Sequence, residues 1–332
     1  MKDLRLLLFE LSSEDRLTIL NMLREQPMNV TGLSRRVDLA VQETSRHLAR
    51  LENVGLTDRD SDGLHHVSMY GELVTRNLPG LDFISKNKDY FSTHSLNDIP
   101  QEFISRLGDL GESTAVDDVV LGFYNVNRML RSAEKFIWTI TDRYIVSQLP
   151  IFVEATRRGV VLKNIELAPL VPVVPQNEVK GGSFLDQEQL GELKKGREDG
   201  RVQENVLDKL DIYLFMSEKE VACLAFPLKS GKMDYLGFRA EDDNAKKWCA
   251  DIFNYYWGLS TPRSKLVDEA ARWLIKNQDA LDALRAINEG ETPEGERVLA
   301  ELSEHKLLVG GNITVTGIMT LIKLFGNLDI TA

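Results

Sequence analysis

Arg35, Arg36, Arg46, Arg50 and Arg59 fall close together near the start of the chain, interleaved with Thr31, Gln42, Glu43, Ser45 and His65. Arginine, glutamine and serine are side chains that reach base edges in a major groove, and arginine also grips phosphate. A second group lies further on, where Trp138, Thr139, Thr141, Asp142 and Arg143 are followed by Glu166. Hydroxyls, carboxylates and a guanidinium beside an aromatic ring would hold a small polar or anionic molecule. Asp142 could equally cap a helix beginning at Arg143 or Tyr144.

Covalent and metal chemistry is harder to find. Cleavage of the phospholipase D kind needs a Lys two residues after a His, the His acting as nucleophile or acid. The residues two after His47, His65, His66, His94 and His305 are Ala49, Val67, Ser68, Leu96 and Leu307. No GxxxxGK[ST] phosphate loop, GxSxG elbow or HExxH pair occurs. His65 and His66 are neighbours on a predicted strand, so they point to opposite faces and cannot share an ion. Cys223 and Cys249 are the only cysteines, both in apolar settings. They suit a reducing cytoplasm and leave no disulfide framework or thiolate metal site. The reading is of a protein that binds without reacting and carries no cofactor.

Residues 13–78 supply the scaffold for the first group. Ser13 is placed to cap a helix whose Leu17, Ile19, Leu20 and Leu23 share a stripe, ending near Gln26-Pro27. Asn29 caps a short helix over 30–37, and Asp38-Leu39-Ala40 opens a third helix over 41–54, closed by Gly55. Val41, Thr44, Leu48 and Leu51 form its inward stripe. That turns Gln42, Glu43, Arg46 and Arg50 outward, with Ser45 at the flank. Residues 56–59 and 64–69 flank Asp60-Ser61-Asp62-Gly63 and read as a β-hairpin. Three helices and a hairpin make a winged helix, the third helix being the one sized for a major groove.

The run Ser45-Arg46-His47-Leu48-Ala49-Arg50-Leu51-Glu52-Asn53-Val54-Gly55-Leu56 resembles the recognition helix and wing entry of ArsR-like winged-helix regulators. The resemblance implies double-stranded promoter DNA as a partner. Ala40 departs from the family's usual capping Ser, and Asp38 is the alternative cap. The family's metal-sensing cysteines are missing, since no Cys precedes position 223.

From Lys135 the pattern changes. Phe136–Thr141 reads as a strand, 144–158 as an amphipathic helix stopped by Gly159, and 160–167 as a second strand. This is a βαβ unit, with two parallel strands and a right-handed crossover. Ligands of such sheets collect beyond the carboxyl ends of strands, where Thr141, Asp142, Arg143 and Glu166 fall. Of Trp138 and Thr139, alternation sends one into the core. A bend at Pro169, Pro172 and Pro175, the run Lys180-Gly181-Gly182-Ser183 and a polar helix over 186–195 follow. Strands over 211–216, 221–228 and 233–239 and a helix over 244–257 complete the region. Residues 133–138 together with 154–163 resemble the middle domain of archaeal FilR-type methanogenesis regulators. They resemble more loosely the phospholipase-D-like effector domain of TrmB-type sugar regulators. What this implies is effector sensing downstream of a winged helix.

A long helix is predicted over 264–287. Val298–Leu308, Gly310-Gly311-Asn312 and Ile313–Gly317 then echo the third helix, wing and Tyr70-Gly71 lead of the first domain. The echo carries Glu296, Glu301 and Glu304 against Arg297 and Lys306, a poor face for phosphate, and reads as a packing or dimerisation module. Residues 318–325 are apolar enough to need a partner surface.

The 332 residues hold 40 basic and 51 acidic side chains, a net charge of −11. Over 29–50, however, four arginines face only Asp38 and Glu43. Acidity on average therefore disfavours loose coating of nucleic acid while leaving a positive reading surface. No apolar run reaches the roughly 18 residues of a membrane span. The expected architecture is α+β and multidomain: a winged helix over 1–78, a helical connector over 79–132, an α/β effector domain over 133–260 that is phospholipase-D-like without the catalytic motif, and a helical winged-helix-like module over 261–332. The expected function is a cytoplasmic, homodimeric, ligand-responsive transcriptional regulator with a small-molecule effector and no membrane partner. Two other readings stay open: an enzyme acting on a small phosphorylated metabolite or phosphodiester, and a winged-helix scaffold that recruits protein.

Overall fold

A computed structural model describes residues 2–145, 148–168, 170–173, 187–293 and 295–326. The chain divides into two units, Met1–Ser85 and Lys86–Ala332.

In the first unit α1 (Lys2–Leu11), α2 (Glu14–Glu25), α3 (Val30–Arg36) and α4 (Val41–Asn53) precede a hairpin of β1 (Thr57–Arg59) and β2 (His65–Val67), and α5 (Met69–Lys86) follows. Ile19, Leu20, Leu23, Leu33, Leu48, Leu51 and Leu56 form one core. Val41 is exposed instead, because it is the first residue of α4 and lies ahead of the first buried turn. Asn29 caps α3 by accepting from the Gly32 amide at 2.8 Å. Neither Ala40 nor Asp38 caps α4 with its side chain; Asp38 takes a left-handed φ of 54° in the tight link. At the far end of α4 Gly55 has φ 78°, and the Leu56 amide donates back to the Leu51 carbonyl at 2.9 Å. The Asp60 carboxylate accepts from the Asp62 and Leu64 amides and pins the wing turn. A close approach then seats α5. A Cβ on Gly71 would collide with the Leu56 carbonyl oxygen, and Ser68 Oγ donates to Gly55 O (2.5 Å) while accepting from the Gly71 amide (2.9 Å).

The second unit opens with α6 (Lys88–Thr93), α7 (Gln101–Ile104), β3 (Thr114–Val116) and α8 (Val119–Ser132). Next come β4 (Phe136–Thr141), β5 (Tyr144–Ile145), α9 (Leu149–Arg157), β6 (Val161–Leu167), β7 (Pro172–Val173), α10 (Gln187–Glu198) and β8 (Val202–Leu207). β9 (Tyr213–Ser217), β10 (Val221–Ala225), β11 (Gly237–Ala240), α11 (Asp243–Leu259) and β12 (Thr261–Pro262) follow. The large sheet has eight strands in the order β12-β8-β6-β4-β9-β10-β11-β3. β4, β6 and β8 are parallel, with Thr141 opposite Glu166; the other neighbours are antiparallel.

Ile137, Leu162, Val202 and Phe215 pack beneath Met129 and Leu130 of α8, Val153 and Ala155 of α9 and Leu193 of α10. On the other face Trp138 stacks on Phe253 of α11 at 4.7 Å. Both faces of the sheet are thus covered, which is why every residue of β9 and β10 is buried. Some details differ from expectation. The helix predicted from 144 starts at Leu149, because 144–145 pair with 172–173 as a short parallel ladder. The stretch predicted as helical connector also supplies β3, the far edge of the sheet. Pro169, Pro175, residues 180–183 and Asp186 lie outside the described residues.

At the C-terminus the helix predicted over 264–287 breaks at Asn277 (φ −128°), giving α12 (Arg263–Lys276) and α13 (Gln278–Asn288). α14 (Glu296–Glu304), β13 (Leu308–Val309), β14 (Asn312–Ile313) and α15 (Val315–Phe325) complete the module. Its hydrogen bonds repeat those of the first unit. Lys306 has φ 60° where Gly55 has 78°, and the Leu307 amide donates to Leu302 O as Leu56 does to Leu51. Thr314 Oγ1 donates to Lys306 O and accepts from the Gly317 amide, as Ser68 does with Gly55 and Gly71. Between α13 and α14 the described residues 289–293 carry no helix. The apolar residues 318–325 find their partner inside the chain, where α15 packs along α12. Among the described residues no helix is long and apolar enough to cross a membrane.

Candidate nucleic-acid interface and ligand cavity

The core stripe of α4 leaves Gln42, Ser45 and Arg46 exposed on one face, with Glu43 half-buried. Arg46 and Arg35 have no partner among the described residues, and exposed Thr31 opens α3 beside them in sequence. Arg36 pairs with Glu25 at 2.7 Å on the surface, an ion pair cheap enough to exchange for a phosphate. Arg59 lies over the wing turn, its Nη2 within 3.1 Å of where a Gly63 Cβ would sit. Arg50 is held differently. Its Nε and Nη2 donate to the two Glu10 oxygens at 2.9 Å, and its guanidinium lies 5.3 Å from the centre of the otherwise exposed Phe9 ring. His65 is turned inward at 5% exposure by its backbone pairing with Met28. Burial, and after it the Arg59 charge, hold His65 below the ordinary histidine range. His66 is the histidine left partly open on that hairpin.

The second group surrounds a small, partly open cavity over β4, β6 and the start of β8, under α9 and α10. Thr139, Thr141, Arg143 and Glu166 all line it; Trp138 faces the opposite side of the sheet, on Phe253. Thr139 Oγ1 donates to Asn164 Oδ1 at 3.0 Å. Thr141 Oγ1 accepts from the Arg143 amide and donates to its carbonyl, which bends the chain out of β4. Arg143 Nε donates to the Tyr235 hydroxyl, which donates in turn to Asp142 at 3.0 Å, while the guanidinium lies 4.6 Å from the Tyr235 ring centre. Asp142 thus positions Arg143 through Tyr235 and caps no helix. Tyr235 itself sits at φ 64°, a strained backbone position for an aromatic residue, and burial first raises its hydroxyl pKa to about 12.

Two carboxylates face the cavity. Glu204 is gripped by Arg197 through Nε at 2.8 Å and Nη2 at 3.1 Å. Burial works against its ionised form, yet the Arg197 charge and hydrogen bonds outweigh it and hold the carboxyl below its usual range. Glu166 is paired with Arg263, and there burial dominates and pushes the carboxyl up. Asn164, Gln148, Arg197 and Glu204 line the cavity but were not among the expected residues. Asn164 was legible, being two residues before Glu166 and so on the same face of β6.

Residues 13–58 match the family model described as bacterial regulatory protein, arsR family. The N-terminal unit carries an arsR-family winged helix-turn-helix domain. No curated protein matches the chain. Among solved structures, TrmBL2, an archaeal chromatin protein with a novel mode of DNA binding, aligns over 71% of this chain and 88% of its own at 15% identity and a TM-score of 0.33. Nuc, a phospholipase D family member from Salmonella typhimurium, covers 42% of this chain and 89% of its own (10% identity, TM-score 0.27). NucT from Helicobacter pylori covers 45% and 96% (9%, 0.31). Scores of this size are similarities of chain path and say nothing about what this protein binds. Among the described residues no three His, Cys, Asp or Glu side chains are grouped to hold a metal ion.

Proposed function

We propose that the protein is a ligand-responsive transcriptional regulator that reads promoter DNA with its arsR-family winged helix. The observation that carries this reading is the exposed face of α4, where Gln42, Ser45 and Arg46 stand clear of the core with Thr31, Arg35, Arg36 and Arg59 on neighbouring elements. Arginine and glutamine there suit base edges, and the remaining cations suit phosphates. The effector site is the cavity over β4, β6 and the start of β8, with Thr139, Thr141, Arg143 and Glu166 as contacts. The cavity binds without reacting, and the likeness of 133–138 and 154–163 to FilR-type methanogenesis regulators is the narrowest form of the proposal. Two copies act together in the cytoplasm. Exposed Leu4, Leu8 and Phe9 on α1 and Met69 and Leu73 on α5 are the apolar faces that pairing of the heads would cover. Effector binding changes DNA affinity through a coupling free energy of about 1–3 kcal/mol.

Fluorescence anisotropy with promoter and random duplexes across a salt series tests the reading. Salt-sensitive binding that favours promoter DNA and weakens in Arg46→Ala supports it. Equal, salt-insensitive binding to both duplexes refutes it.

A further inference from the structure

The cavity and the C-terminal helices share one buried charge pair. Glu166 lines the cavity from β6 with its side chain 3% exposed, and its Oε2 accepts from Nη2 of Arg263, whose side chain is 1% exposed. Arg263 is the first residue of α12, and its Nη1 donates at 3.2 Å to Thr316 Oγ1 at the start of α15. One guanidinium therefore ties both packed helices of the C-terminal module to the sheet. The tie is incompletely satisfied. Arg263 Nε is buried without an acceptor, and Glu166 Oε1 makes no hydrogen bond among the described residues.

A carboxylate held by one hydrogen bond, and lining a cavity, is a place where a second cation competes. We propose that the cavity takes a small molecule bearing an ammonium or guanidinium group. That group binds Glu166 in place of Arg263, and loss of the Glu166–Arg263–Thr316 link frees α12 and α15 from the sheet. The proposal rests on the cavity being the effector site. Glu204 is closed off by two hydrogen bonds from Arg197, so Glu166, with its single hydrogen bond from Arg263, is the cavity carboxylate open to a competing cation. Only an occupant that binds the unlatched state better can move the equilibrium. An occupant that leaves Arg263 on Glu166 shifts nothing.

The test is amide hydrogen exchange on the full chain, with millimolar methylguanidinium as the probe and equal sodium chloride as control. Exchange over 263–276 and 315–325 is expected to quicken roughly tenfold, within the usual range of such couplings, while β4, β9 and β10 hold. Glu166→Gln is expected to show the faster exchange without the probe and no further response to it. Thr316→Val, which keeps the charge pair, should loosen only α15. Exchange unmoved by both the probe and Glu166→Gln overturns the proposal, and so does equal loosening of the central strands. Wild-type DNA affinity is measured alongside. Intact DNA binding with unmoved helices sinks the latch alone, and absent DNA binding sinks the reading on which it rests.

Discussion

Replacing Arg263 with Met leaves the Glu166 carboxylate inside the protein without its counter-charge. Burial already pushes that carboxyl above its ordinary range, and Arg263 is the main charge opposing the shift. Breaking a buried pair by removing one partner costs about 3–5 kcal/mol. For a unit of this size that corresponds to a fall in Tm of roughly 6–20 °C. Removing both members, as Glu166→Leu with Arg263→Met, takes away two desolvation penalties and the unpaired Nε at once. The double variant is therefore expected to be neutral or up to about 4 kcal/mol more stable than the parent. Urea unfolding followed by tryptophan fluorescence measures the cycle, with Trp273 on α12 and Trp138, Trp248 and Trp257 beside the sheet. Single-variant costs that simply add in the double variant, within about 0.5 kcal/mol, would refute the coupling.

Gly71→Ala should cost about 1–3 kcal/mol by forcing α5 off the Leu56 carbonyl. Gly317→Ala, whose Cβ would lie 2.6 Å from Leu307 O, should act with the same sign at the C-terminal copy, and thermal unfolding reads both. Glu218 accepts from the Glu134, Lys135 and Phe136 amides, which outweigh its burial and hold its carboxyl below the ordinary value. Its stabilising contribution is present above that ordinary value and lost as pH falls through the lower folded one, so Glu218→Gln should flatten the acid limb of stability against pH. Arg50→Ala should lower Tm, because buried Glu10 loses its bidentate partner, whereas Arg46→Ala should leave Tm unmoved and weaken DNA binding.

α2, α3 and α4 were legible because their core positions follow a helical period: Leu48 and Leu51 fall inward, and Arg46 must then face out. α1 was not anticipated, and α5 runs through Pro79, where a boundary was expected. The wing was legible from its Asp-Gly turn. β8 was not anticipated, because Val-Gln-Glu-Asn-Val-Leu has polar residues through its middle. Those residues are polar for a reason, since Glu204 lines the cavity and Asn205 Nδ2 donates to Ser260 Oγ. The cavity was half legible. The rule that ligands gather at the carboxyl ends of parallel strands pointed to Thr141, Arg143 and Glu166, but alternation could not choose between Trp138 and Thr139 without knowing where α11 packs. Arg263 had no local signal, because it reaches Glu166 across 97 residues, and Arg197 was hidden because its partner Glu204, seven residues on, lies in the unanticipated β8. The break at Asn277 was hidden because Leu274 and Leu281 keep a helical spacing across it.

DNA affinity as a function of salt, for duplexes the protein selects from its own genomic DNA, decides whether the winged helix reads DNA as a pair of heads. On the proposed reading Arg35, Arg36, Arg46 and Arg59 supply up to four phosphate contacts per head. Two heads should then give a slope of log affinity against log salt of about −7, and one head about half that. Arg46→Ala should reduce the slope by about one per head where it meets phosphate, or relax sequence preference by about 1–3 kcal/mol where it meets a base. Affinity and slope left unchanged by Arg35→Ala and Arg46→Ala together would contradict the assignment of α3 and α4 as the reading surface.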